Sequence, residues 1–260
     1  MKPYYVIDFS VVNCFMDIRV NEIPVFNMNA DGQVATIIPI NNAIVESGKQ
    51  NICYRLLPLL GETVLRDNAD FSASVWLYDA SGDLIKKQEE INDTLFTMPK
   101  NTKEIPLPEC KGEIIFNAIV PYKLDAWQNS QDLRKIENLR FMVNSVYRKI
   151  EEIINNAHYD KFCDLIKQRE DNVAVCMYLS ESEKNERITN LIDTIKEHDL
   201  KIVPFSENDE MVIFGNNKLV TLQNPDGDSA LVLKNEESEM ELSLAVSLHL
   251  KQDEKELSII

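Results

Sequence analysis

Glycine is scarce in this chain, with seven among 260 residues. No Walker-type or G-x-G-x-x-G loop is present, which argues against phosphate binding by a glycine-rich cradle. Histidine is scarcer. His158, His198 and His249 lie in different segments, and none has a second His or Cys at metal-ligand spacing. No zinc site or nucleophile–base pair is therefore marked, and the histidines read as structural or surface residues. The five cysteines, Cys14, Cys53, Cys110, Cys163 and Cys176, form no C-x-x-C pair and are odd in number. That argues against a disulfide framework and for free thiols, mostly buried, in a reducing compartment. No apolar run approaches the roughly 18 residues that a membrane-spanning helix needs. Met1 to Asp8 has one basic residue and a short apolar patch before an acid, so it does not read as a signal peptide. The expectation is a cytoplasmic protein with no metal, no cofactor and no catalytic residues.

Basic charge is also in short supply. Lys and Arg number 27 against 43 Asp and Glu, a formal net charge of −16. The imbalance is greatest from Glu207 to Ile260, where 12 acids face 4 bases. Such a surface repels nucleic acid and anionic membranes and suits a basic protein partner. It also serves solubility alone.

What the chain does have is patterned hydrophobicity, at 44% of residues, enough for one large or two modest cores. The first part reads as β. Met16 to Val20 alternates, Asn21-Glu22 interrupts, and Ile23 to Phe26 follows, which predicts a hairpin. Asp31-Gly32 reads as a further turn. Strands are expected over 34–40, 50–56, 71–78 and 112–120, with Ser81-Gly82 turning the chain into Leu84-Ile85. Pro99, Pro106 and Pro108 mark a loop within this domain. Residues 1–124 are expected to form an antiparallel β-sandwich.

The period changes near Asp125. Leu139, Met142, Val143, Val146, Ile150, Ile153 and Ala157 follow one face of a helix, placed at about 130–157. A second helix is expected at 159–168, a buried strand at 173–179, and a third helix at 182–198 opened by the capping box Ser180-x-x-Glu183. Short antiparallel strands follow, the last an alternating run from Leu242 to Leu250. Residues 125–260 are thus expected to form an α+β domain with helices on an antiparallel sheet.

Two resemblances accompany this reading. Val20-Asn21-Glu22-Ile23-Pro24-Val25, followed by Ile44 to Ile52 with its Gly48-x-x-Asn51 step, resembles part of a galactose-binding-like jelly-roll domain. That family usually has Asn-Gly where this chain has Asn21-Glu22, and the shared residues shape turns and are not sugar ligands. The second half is similar in element order to cystatin-like folds of the nuclear-transport-factor-2 type, which often enclose a pocket. A fold likeness does not settle function.

Few side chains stand out chemically. Asp226-Gly227-Asp228 lacks the alternating acids and distal glutamate of a calcium loop and reads as a turn. Glu236, Glu237, Glu239 and Glu241 form an acidic run between two strands, either a solvated loop or a docking surface for a cationic protein. Trp76 and Tyr78 lie on the strand face opposite Phe71, Val75 and Leu77. They are core if a second layer covers that face, and a stacking surface if none does. The function expected is a non-catalytic acidic interaction module, most concretely a bacterial immunity protein that binds a basic toxin domain. The alternatives are a carbohydrate or small-ligand binder, and an enzyme using a pocket in the second half with candidates among Tyr147, Asp160, Asp164 and Tyr178.

Overall fold

The computed structural model describes the chain apart from residues 83, 101–106, 207, 226, 236, 238 and 239. It divides by internal packing into two units: residues 1–124 with 176–178, and residues 125–175 with 179–260. The fold is α+β, as the periodicities predict.

The first unit comprises β1 (Pro3–Val20), β2 (Ile23–Pro39), β3 (Gly48–Leu57), β4 (Asp70–Asp79), β5 (Lys86–Glu90), β6 (Phe96–Thr97) and β7 (Cys110–Ala118). The layering expected of a sandwich comes from one continuous antiparallel sheet that curls about a single core. β1 pairs with β2 along nearly its whole length. On its other side it pairs with β4 through Val12 and with β3 from Phe15 onward. The change of partner falls at Asn13, which takes φ of 51°. Before it the odd residues Ile7, Phe9 and Val11 are buried; after it the even residues Cys14, Met16, Ile18 and Val20 are. One inserted residue thus keeps the same face of β1 inward although its partner changes.

Asp31-Gly32 is not a turn between strands, as the dipeptide suggested. It is a bulge within a continuous β2, opposite Asn13, whose Oδ1 accepts from the Gly32 N–H at 2.9 Å. Gly32 takes φ of 112°, a conformation that a side chain resists. The predicted hairpin at Asn21-Glu22 is present, with φ of 52° and 67° at the two residues. Two positive φ values make a type I′ loop, which normally takes Gly at the second position. Asn21 offsets the missing glycine by anchoring the loop. Its side chain donates to the Ala43 carbonyl and the Gln50 amide oxygen, both at 2.8 Å, and accepts from the Asn51 N–H at 3.1 Å. Leu84 and Ile85 precede β5 and are exposed. Pro99 and Pro108 lie outside the strands, and Pro106 is outside the described residues.

Aromatic rings fill the middle of the first core. Tyr54 lies 5.2 Å from Phe96 and 5.3 Å from Phe71 between ring centroids, and Phe71 lies 6.4 Å from Phe9. The Tyr54 side chain is buried, and its hydroxyl has no hydrogen-bond partner among the described residues. A buried hydroxyl left unpaired loses its hydration and gains no bond in exchange. Tyr54→Phe is therefore expected to stabilise the chain by about 1 kcal/mol in urea unfolding, and a loss of stability would show that the hydroxyl is paired.

The second unit contains α1 (Leu139–Asn155), most of α2 (Tyr159–Cys176), α3 (Glu181–Glu197), β8 (Lys201–Ile202), β9 (Glu210–Phe214), β10 (Leu219–Gln223), β11 (Val232–Lys234), β12 (Glu241–Ser243), β13 (Leu248–His249) and β14 (Ser258–Ile259). α1 starts later than predicted, because residues 127–129 and 133–135 form separate 3-10 turns. The strand expected at 173–179 is an error of period: the helix simply continues through Cys176. Phe162, Ile166, Glu170 and Ala174 are buried at steps of four, so the apolar run Val173 to Met177 is the end of a helical stripe. Residues 176–178 group with the first unit, where Asn41 Nδ2 donates to the Cys176 carbonyl at 3.0 Å and the Tyr178 hydroxyl donates to the Pro3 carbonyl at 2.8 Å. The capping box of α3 forms as predicted, Ser180 with Glu183.

The strands of this unit make two small antiparallel sheets, β14-β13-β10-β9 and β12-β11-β8. The run from Leu242 to Leu250 is therefore not one strand. β12 belongs to the three-stranded sheet and β13 to the four-stranded one. Its alternation survives the switch, since Leu244, Val246, Leu248 and Leu250 are all buried. Val143, Tyr147, Ile150 and Ile154 of α1 close the core with residues from both sheets, including Ile202, Val220, Leu222 and Leu233.

Candidate functional site

The acidic run falls between β11 and β12 in the chain, and of its described part Asn235 and Glu237 are tied to the end of α3. Asn235 Nδ2 donates to the His198 carbonyl at 2.7 Å, and Asn235 Oδ1 accepts from the Glu237 N–H at 2.7 Å. Glu237 is exposed, and so are Glu197 and Asp199 at the end of α3. Glu241 is exposed and pairs with Lys234 at 2.8 Å. Glu236 and Glu239 lie outside the described residues. The fold thus brings Glu237 beside the end of α3, where Asp199 pairs with Lys201 at 3.0 Å, a grouping not apparent in the linear sequence. The whole second unit is acidic, with 27 Asp and Glu against 16 Lys and Arg.

Trp76 and Tyr78 are half-buried on the outer face of β4, while Phe71, Ala73, Val75 and Leu77 face the core. Trp76 is already engaged. The Lys87 ammonium sits 3.4 Å from its ring centroid, and its Nε1 donates to Ser74 Oγ at 3.0 Å. Tyr78 pairs across the ladder with Tyr4 and Lys87. These two aromatic residues belong to the first unit, and the acidic run belongs to the second.

A groove of about 600 Å³ opens in the second unit between α1, α2 and residues 251–259. Met142, Val146, Leu165, Leu257 and Ile259 give it an apolar floor, and lysines and carboxylates form its rim. Of the four candidates for acid–base work, only Asp164 lines it. Tyr147 is buried, with its hydroxyl held by Thr221 Oγ1 at 3.1 Å and the Leu222 N–H at 2.8 Å. Tyr178 groups with the first unit. The turn at 224–228 is held by Asn224. Its Oδ1 accepts from the Asp228 N–H at 2.9 Å, and its carbonyl accepts from the Gly227 N–H at 3.0 Å. Asp226 is outside the described residues.

The structure does assemble one hydroxyl–imidazole pair that no spacing marked. Ser130 Oγ lies 2.8 Å from His249 Nδ1. The two residues are 6% and 1% exposed, and His249 Nε2 has no partner among the described residues. Neither residue lines the groove, so a substrate has no route to the pair there. Among the described residues no group of three or more His, Cys, Asp or Glu gathers to hold a metal ion. No described helix is long and apolar enough to cross a membrane. All five cysteines are free. Burial raises the Cys14 thiol to about 11 and the Cys176 thiol to about 12, so neither is poised as a nucleophile. No protein-family model, curated protein or solved structure matches the chain.

Burial pushes the His249 pKa below its ordinary value; the Lys251 charge adds to this, while Glu254 and Asp125 oppose it. The unfolded chain therefore binds this proton more readily than the folded one. The contribution to stability is complete above the unfolded value of about 6.5 and is lost as the pH falls below it. Urea midpoints are expected to fall between pH 7.5 and 5.5, and His249→Gln is expected to flatten that slope. An unchanged slope in the variant would assign the pH dependence to other groups.

Proposed function

We propose that the chain is a non-catalytic binding protein for a cationic protein partner, most concretely an immunity protein that occupies the basic face of a toxin domain. The observation that carries this reading is the acidic edge, where the turn bearing Glu237 is tied to the end of α3 bearing Glu197 and Asp199. Clustered exposed carboxylates in a unit with excess acid speed encounter with a basic partner and disfavour acidic ones. Five free cysteines fit a reducing compartment, the cytoplasm in this reading.

The test is affinity purification from native cells, followed by association kinetics with the partner recovered. Glu237→Lys with Glu241→Lys is expected to slow association at least about tenfold at low salt and to change dissociation little. Association that ignores both the reversal and the salt concentration would remove this edge from the interface.

The groove favours a second reading, a carbohydrate or small-ligand binder. Its volume and apolar floor fall within the range of small-molecule sites. Ser145, exposed on α1 at the groove, offers a way to block it. Ligands from a thermal-shift screen are expected to raise Tm saturably in the parent chain and not in Ser145→Trp. No shift across a broad library would discard this reading.

A further inference from the structure

Three strands at the margin of the first unit's sheet differ in charge. β5 and β7 stand at the two ends of the order β5-β4-β1-β3-β7. β2 lies off that path and pairs only with β1 among the described residues. An edge strand exposes unused backbone N–H and C=O groups, and charged side chains normally keep other strands from adding to it. β5 is guarded in this way by Lys86, Lys87, Glu89 and Glu90. β7 carries Lys111 and Glu113, both exposed. The second half of β2 has no such guard. Gln33 to Ile38 contains no charge, no proline and no glycine, and four of its six side chains are β-branched. That is the composition of a segment prone to add to another strand.

The backbone of this segment is half used. The Ile40 N–H donates to the Tyr5 carbonyl at 3.0 Å. From Pro39 back to Gln33 the register to β1 runs without a shift. Alternate residues of an antiparallel ladder bond to the partner, so the amides of Ile38, Thr36 and Val34 follow Ile40 toward β1. Those of Ile37, Ala35 and Gln33 point away. Among the described residues, none outside β1 forms a backbone bond with residues 33–39. Gln33, Ala35, Thr36 and Ile37 are exposed, Ile37 to 46%.

The open stretch is bounded at both ends. The bulge at Asp31-Gly32 interrupts it on one side, and Pro39, with no N–H, ends it on the other. We propose that this edge pairs with the same edge of a second copy of the chain, antiparallel about a twofold axis at Ala35. Ala35 then exchanges both backbone bonds with its own copy. Gln33 faces Ile37, and Val34 faces Thr36, a β-branched pair suited to a ladder. The segment is thus complementary to itself. It offers a cationic partner no carboxylate. Two chains of formal charge −16 repel wherever their acids meet, and this pairing sets no like charges opposite each other. Both free edges are used up, so the assembly closes as a dimer and does not grow. One strand pair makes a small interface, so the dimer is weak and reversible. The edge belongs to the first unit, whereas the acidic run and the groove belong to the second.

The experiment is sedimentation velocity with amide hydrogen exchange of the full chain at about 5 μM and about 200 μM, the range of a weak complex. A dimer is expected at the higher concentration, with exchange slowed over residues 33–38. Ala35→Pro removes one outward N–H and leaves the bonds to β1 in place. Ala35→Lys keeps the backbone and sets two ammonium groups opposite each other across the axis. Each is expected to lower the dimer fraction at least about fivefold with far-UV circular dichroism unchanged, whereas Ala35→Val retains the dimer. If Ala35→Pro unfolds, Ala35→Lys decides. A monomer at both concentrations would overturn the proposal, as would a dimer undiminished in Ala35→Lys. Exchange over 33–38 that ignores concentration would do the same. Slowing that appears only on adding a partner recovered from native cells would give the edge to that partner and overturn self-pairing.

Discussion

At Asn13 the backbone enters the left-handed region and β1 changes partner, and the architecture of the first unit depends on that one residue. A strand shows alternate residues to opposite faces, so any strand that bends around a core must correct its phase or turn its apolar residues outward. The correction at Asn13 is matched by the bulge at Asp31-Gly32 in β2, and the Asn13 side chain ties the two together. β4 and β3 then pair with β1 along its two halves while its inward face stays the same. Tyr54 of β3 and Phe71 of β4 meet across the core as a result.

The second unit is organised by a different constraint, the management of charge. Its acids are mostly placed on the surface, and its core is a continuous aliphatic and aromatic cluster. Buried polar groups are few and specific. Ser130 and His249 satisfy each other on one side, Tyr147 is held by two groups of β10, and Glu170 is held by Arg187. Against that background, Asn144 Oδ1, His249 Nε2 and Ser258 Oγ are buried without a partner among the described residues.

Much of the fold was legible in the sequence. The alternation of Phe71, Ala73, Val75 and Leu77 identified the inner face of β4 correctly, and Ser180 with Glu183 located the start of α3. Where the reading failed, local signals were ambiguous. Val173 to Met177 is apolar enough for a buried strand, and only its continuation of the stripe from Phe162 makes it helical. Asp31-Gly32 carries turn chemistry, yet serves a bulge because Asn13 lies opposite. The alternation from Leu242 to Leu250 says which side chains are buried but not that the strand changes sheets.

The candidate sites divide the same way. Composition and local periodicity were enough for the excess of acid, the α+β succession, the free character expected of the thiols and the shared face of Trp76 and Tyr78. These depend on residue counts and on periods of two and 3.6, which are local properties of a chain. Packing was needed to establish that Glu237 lies by the end of α3, that Lys87 covers the Trp76 ring, and that Ser130 meets His249. Packing also brought Arg187 of α3 to Glu170 of α2. Such pairings join residues separated in sequence, and their distance and burial are set by how whole elements pack, not by any pattern within one of them.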